Sequence, residues 1–185
     1  MHMRMSRYLN VFLPGFLVLA LAGAAHAQFA ATGTTTVSVA IGPEAALQIN
    51  TGTSTLTAAG TTFNSNYTGT TSLTYKVRTT KVGGSGSITL KVTTDFGPAG
   101  GPSVLTPPTA GDTLAYTCTL TAPGSACSGS QTSSTGASTP VGTFGTDAKS
   151  ASAGNGGSVA WTLTNDPQYS TGTYTATVTF TISAT

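Results

Sequence analysis

From Ser170 onward the chain reads STGTYTATVTFTISAT, with Tyr174, Ala176, Val178, Phe180 and Ile182 on one parity and Thr173, Thr175, Thr177, Thr179 and Thr181 on the other. A period of two puts the first set on a buried face and the second on a wet one, which predicts a β-strand. The same alternation recurs upstream. TTTVSVAI (34–41) aligns Val37, Val39 and Ile41, and AALQIN offers Leu47 and Ile49. TSLTYKVRTT places Leu73, Tyr75 and Val77 inward, SITLKVTT does so with Ile88, Leu90 and Val92, and the KVGGSG between them reads as a hairpin connection. TLAYTCTL groups Leu114, Tyr116, Cys118 and Leu120, and SVAWTLT groups Val159, Trp161 and Leu163, so Trp161 is expected in the core. Seven to nine strands with no helical period outside the N-terminal segment predict an all-β chain, a β-sandwich of immunoglobulin-like type.

Two linkers interrupt the pattern. FGPAGGPSVLTPPTAGD is punctuated by Pro and Gly, and SGSQTSSTGASTPVGTFGTDAKSASAGNGGS approaches low complexity. The second reads as a surface loop, or as one hiding a short strand around Val141 to Phe144. STGTYTATV also resembles a tyrosine corner, with Tyr174 in the tyrosine's place near the start of a strand.

The N-terminus follows a different pattern. Arg4 and Arg7 precede an apolar run from Val11 to Ala25, and Ala25-His26-Ala27 supplies small residues where a signal peptidase reads. The run is shorter than the ~20 residues that span a bilayer, and Pro14 breaks it, so the expectation is a cleaved leader over 1–27 rather than a membrane anchor. No Cys stands at the cleavage site for a lipid. Cleavage removes both histidines, His2 and His26. It also leaves five cations (Lys76, Arg78, Lys81, Lys91, Lys149) against five acids (Glu44, Asp95, Asp112, Asp147, Asp166), a net charge of zero. Attraction to nucleic acid or to anionic lipid then has no electrostatic basis. Threonine forms about a quarter of the remaining chain, which favours strands through its branched Cβ.

Little chemistry is left to such a chain. Without histidine, the usual general base and transition-metal ligand is missing, and Lys149 in DAKSASAG reads as a solvated loop residue rather than a Ser–Lys base. Asp112, Asp147 and Asp166 lie in loops and would have to converge to form a carboxylate pair. No calcium-loop or phosphate-loop motif occurs, so no catalytic residue, cofactor or metal site is expected and the reading is non-enzymatic. Tyr67 and Tyr169 fall in loop contexts where a sugar could meet them. Cys118 and Cys127 are the only cysteines; a hairpin centred near Ala122–Pro123 would face their sulfurs, giving a disulfide in an oxidising compartment.

A long strand from Tyr174 to Ile182 with no successor leaves a sheet edge open to pairing. The strand 34–41, bounded by Gly33 and Gly42-Pro43, either returns to its own domain or fills such an edge on another copy. The order of features (a leader, TGTTTVSVAI, and an all-β body closing on GTYTATVTFTIS) resembles pilin subunits of the chaperone–usher class, nearest the archaic branch with its spore coat protein U-like domain. That resemblance implies an incomplete immunoglobulin-like domain over 43–185, preceded by a donor extension over 28–42. It implies Val37, Val39 and Ile41 as donor residues, and Tyr174, Ala176, Val178, Phe180 and Ile182 as the acceptor groove. It further implies a homopolymer, a periplasmic chaperone, an outer-membrane usher and an extracellular filament for adhesion or biofilm. The alternative is a stand-alone secreted adhesin or carbohydrate-binding module. Gly42-Pro43-Glu44 stands where archaic pilins commonly carry a cysteine, and Ser183-Ala184-Thr185 replaces the penultimate tyrosine of classical pilins.

Overall fold

The alternating segments do form strands. In a computed structural model that describes residues 32–185, β1 spans Glu44–Ile49, β2 Thr57–Ala58, β3 Tyr67–Arg78, β4 Gly86–Gly97 and β5 Leu114–Leu120. Then follow β6 (Ser125–Ala126), β7 (Gln131–Thr132), β8 (Thr139–Phe144), β9 (Asn155–Leu163) and β10 (Thr175–Ala184). The expected leader over 1–27 lies outside the described residues, as do the first residues of the expected extension. Two antiparallel sheets result, one ordered β1-β3-β9-β5-β7 with β2 on β3, the other β10-β4-β8-β6. The chain is an all-β sandwich.

The inward parity of the long strands makes the core. Leu73, Tyr75 and Val77 face Ile88, Leu90, Val141 and Phe144, with Leu114, Tyr116, Val159, Trp161 and Leu163 completing it. The polar tips of the core aromatics are satisfied, as buried groups generally are. The Trp161 indole donates to Thr71 Oγ1 at 2.8 Å. The Tyr116 hydroxyl of one sheet meets Thr139 and the Pro140 carbonyl of the other, both at 2.8 Å.

Two expectations are corrected. KVGGSG is no hairpin, because β3 and β4 belong to opposite sheets. It carries the chain across the sandwich, with Gly83 at φ 70° and Gly84 so close that a Cβ would lie 2.2 Å from the Thr80 carbonyl oxygen. The turn at Ala122–Pro123 likewise crosses between sheets instead of pairing β5 with β6. The buried Tyr75 hydroxyl holds that crossing, donating to the Thr121 carbonyl and accepting the Gly124 amide. The Cys118–Cys127 disulfide therefore ties one sheet to the other, with Cα atoms 5.5 Å apart. Of the two readings of the Ser/Gly/Thr stretch, the hidden strand holds around Val141 to Phe144, as β8, and β7 joins it, with Val141 and Phe144 buried. Two inward side chains suffice for so short a strand.

Candidate functional site

The two margins of the sandwich differ. At one, β7 and β6 end the sheets, the disulfide joins them, and residues 133–134 seal the gap. There the Ser133 amide donates to the Leu114 carbonyl, and the Ser134 carbonyl accepts from Val92 of the other sheet. At the opposite margin β1 and β10 face each other. No strand lies beyond either of them among the described residues.

Burial follows from this. β10 registers on β4 with Phe180 opposite Leu90 and Ile182 opposite Ile88. Leu90 and Ile88 are sealed, whereas Val178, Phe180 and Ile182 are only half-buried although they pack against the same core. Across the cleft Leu47 registers on the fully buried Tyr75, yet Leu47 is half-buried and Ile49 is 37% exposed. Of the expected acceptor residues, Val178, Phe180 and Ile182 thus line one wall, while Tyr174 lies before β10 and Ala176 does not reach the core; Ala45 and Leu47 of β1 form the other wall, a placement that the sequence did not reveal. Alternation in EAALQI was the available signal.

Main-chain hydrogen bonding reinforces the side-chain pattern. Thr185 and Ser85 exchange both amide bonds. Alternation along an antiparallel ladder then turns Ser183, Thr181 and Thr179 toward β4, and leaves the amides and carbonyls of Ala184, Ile182, Phe180 and Val178 facing the open side. On β3, Val77 spends its carbonyl and amide on Ser150, so by the same rule Ala45 and Leu47 of β1 face outward with theirs. The residues whose apolar side chains line the cleft also carry backbone groups at its rim that are unbonded among the described residues.

Val37, Val39 and Ile41 were expected on a strand. They belong to none, and they are 89%, 81% and 67% exposed. The alternating pattern supplies a face to bury, but a strand also needs a ladder partner, and no ladder includes 32–43. Where this segment meets β1 it is anchored: Arg78 Nε donates to the Gly42 carbonyl at 2.8 Å, and Arg78 Nη2 meets Glu44 at 2.9 Å.

Tyr174 precedes β10, half-buried, and its hydroxyl donates to the Ser170 carbonyl at 2.8 Å, the backward bond of a tyrosine corner. Trp161 is in the core as expected. The tyrosines considered for sugar are not free: Tyr67 opens β3, half-buried, and the Tyr169 hydroxyl donates to Asp112 Oδ2 at 3.2 Å. Lys149 pairs with Asp147 at 2.7 Å in an exposed position. Asp112 and Asp166 converge, both buried, which the sequence did not reveal. Burial, then the neighbouring Asp166, pushes the Asp112 carboxyl above its usual range. The Thr109 hydroxyl and the Gln168 amide hold Asp166 below that range. Among the described residues no cluster of three or more His, Cys, Asp or Glu exists. The disulfide fits a non-reducing environment. No helix among the described residues is long and apolar enough to cross a membrane. No family model, curated protein or solved structure matches the chain.

Proposed function

We propose that this protein is a structural, non-enzymatic subunit of an extracellular filament, in which the segment before Gly42 of one copy completes the open margin of the next. One observation carries the reading: the inward row of β10 stays half-exposed at an unpaired edge, while its register partners on β4 are sealed. A donor strand needs backbone partners and side-chain pockets together. The cleft offers both on the same residues, and Val37, Val39 and Ile41 carry the complementary alternation. The tyrosine corner and the sandwich agree with the resemblance to chaperone–usher pilins of the archaic, spore coat protein U-like kind. Under this reading a periplasmic chaperone shields the cleft before assembly and an outer-membrane usher delivers the subunit.

The test compares chains 28–185 and 43–185. The longer chain should form detergent-resistant polymers visible by negative stain. The shorter should remain monomeric and bind a TGTTTVSVAI peptide, but not the peptide carrying Val39→Asp. A longer chain that stays monomeric, beside a shorter one indifferent to the peptide, would favour a stand-alone adhesin or carbohydrate-binding module.

A further inference from the structure

Leu114 and Leu163 are register partners on β5 and β9, so the loops leaving those strands start side by side. Asp112, two residues before one, and Asp166, three residues after the other, therefore meet at the end of the sandwich away from Arg78 and Lys149. Their residues are 9% and 7% exposed. Two carboxylates out of water need a counter-charge or a shared proton, because isolated buried ions are strongly disfavoured. Among the described residues no cation pairs with either. The ion pairs among the described residues are Arg78–Glu44 and Lys149–Asp147, both at the other end.

Hydrogen bonding accounts for only part of the pair. Asp166 Oδ1 accepts the Gln168 amide at 2.8 Å, and Asp112 Oδ2 accepts the Tyr169 hydroxyl at 3.2 Å. Asp166 Oδ2 is buried and has no hydrogen-bond partner. The Thr109 hydroxyl stands beside this carboxylate, and that of Thr164 beside Asp112. Every donor atom gathered here is oxygen, two of the groups are anionic, and their arrangement is irregular. That set suits a hard divalent cation, and calcium above magnesium, which demands a near-ideal octahedron.

We propose that Asp112 and Asp166 form a calcium site, with Asp166 Oδ2 as a direct ligand and the adjoining Asp112 carboxylate and the Thr109 and Thr164 hydroxyls beside it. The site pins the 98–113 loop to the segment after β9 and stands independently of the filament reading. Two carboxylates place its affinity with the weak extracellular modules, on the order of 0.1–1 mM.

Terbium ions and calcium chloride are the probes, used on the mature full chain. Excitation of tyrosine should sensitise terbium emission through Tyr169, and calcium should displace it. In 10 mM calcium the melting midpoint should rise by roughly 3–10 °C over that in chelator, with a smaller rise in magnesium. Asp166→Asn should abolish both effects; should that variant fail to fold, the wild-type melts and calcium displacement decide alone. A midpoint indifferent to calcium, with terbium emission absent or not displaced, would overturn the site. The pair would then be held by a shared proton, and the midpoint would respond to acid instead.

Discussion

Tyr174 fixes the foot of β10 through its bond to Ser170, and its ring leaves no space beside buried Gly101. A Cβ at Gly101 would stand 2.3 Å from the ring, closer than such atoms approach. Gly101→Ala should therefore cost about 1–3 kcal/mol by overpacking, read as a lower urea midpoint. Gly156→Ala, where a Cβ meets nothing within 4 Å, should leave the midpoint unchanged or slightly raised. Asp95 organises the next loop by itself. Its carboxylate accepts from the Phe96, Val104 and Leu105 amides and from Ser103 Oγ, at 2.7–3.1 Å. Burial pushes the Asp95 carboxyl up, but these four bonds together outweigh it and hold the group below its usual range. A depressed folded pKa contributes stability that is present above the unfolded value, about 4, and is lost as pH falls through the folded one. Asp95→Asn should cost about 1–3 kcal/mol at pH 7, and the gap from wild type should narrow below pH 4. Urea titrations of both proteins at pH 7 and pH 3 check this.

At the scale of elements, alternation located the long strands because inward Leu, Ile, Val and Tyr recur over seven or more residues. It overlooked β2, β6 and β7, each two residues long, where no period can show. Pairing was less legible than position. Gly-rich KVGGSG and the Pro-Gly turn signal a chain reversal but do not say whether the returning strand joins the same sheet or the facing one. That choice rests on packing: Tyr75 lies 5.1 Å from the Phe144 ring of the other sheet and bonds the crossing after β5. The disulfide, closing a separation of nine residues, gains its role from the same crossing. Reducing it should cost about 2.5 kcal/mol by chain entropy, seen as a lower melting midpoint in reductant. Amide exchange should then quicken first at Cys127 and Ser133, beside the sealed margin.

For the molecule as a whole, the asymmetry of the margins matters most. One side is closed by a disulfide and by residues 133–134; the other presents half-buried aliphatic and aromatic groups under backbone groups that are unbonded among the described residues. Burying Val37, Val39 and Ile41 in that cleft would contribute about 1.5–3 kcal/mol each, before the cost of association. Main-chain bonds to Val178, Phe180 and Ile182 would add to it. Peptide binding should accordingly raise the melting midpoint of the 43–185 chain and protect the β10 amides from exchange, whereas the Val39→Asp peptide should do neither.

The order of apolar and polar residues was enough to establish the all-β class, the inward rows, the buried Trp161 and the cysteine pairing, because each is a consequence of local periodicity or of there being no other partner. It also set Val37, Val39 and Ile41 on one alternating face. Only tertiary structure decided which sheet each strand entered, that β1 forms the second wall of the cleft, and that Asp112 and Asp166 meet. Those outcomes depend on crossings between sheets and on register between strands far apart in the chain, and neither is written in any single stretch of residues.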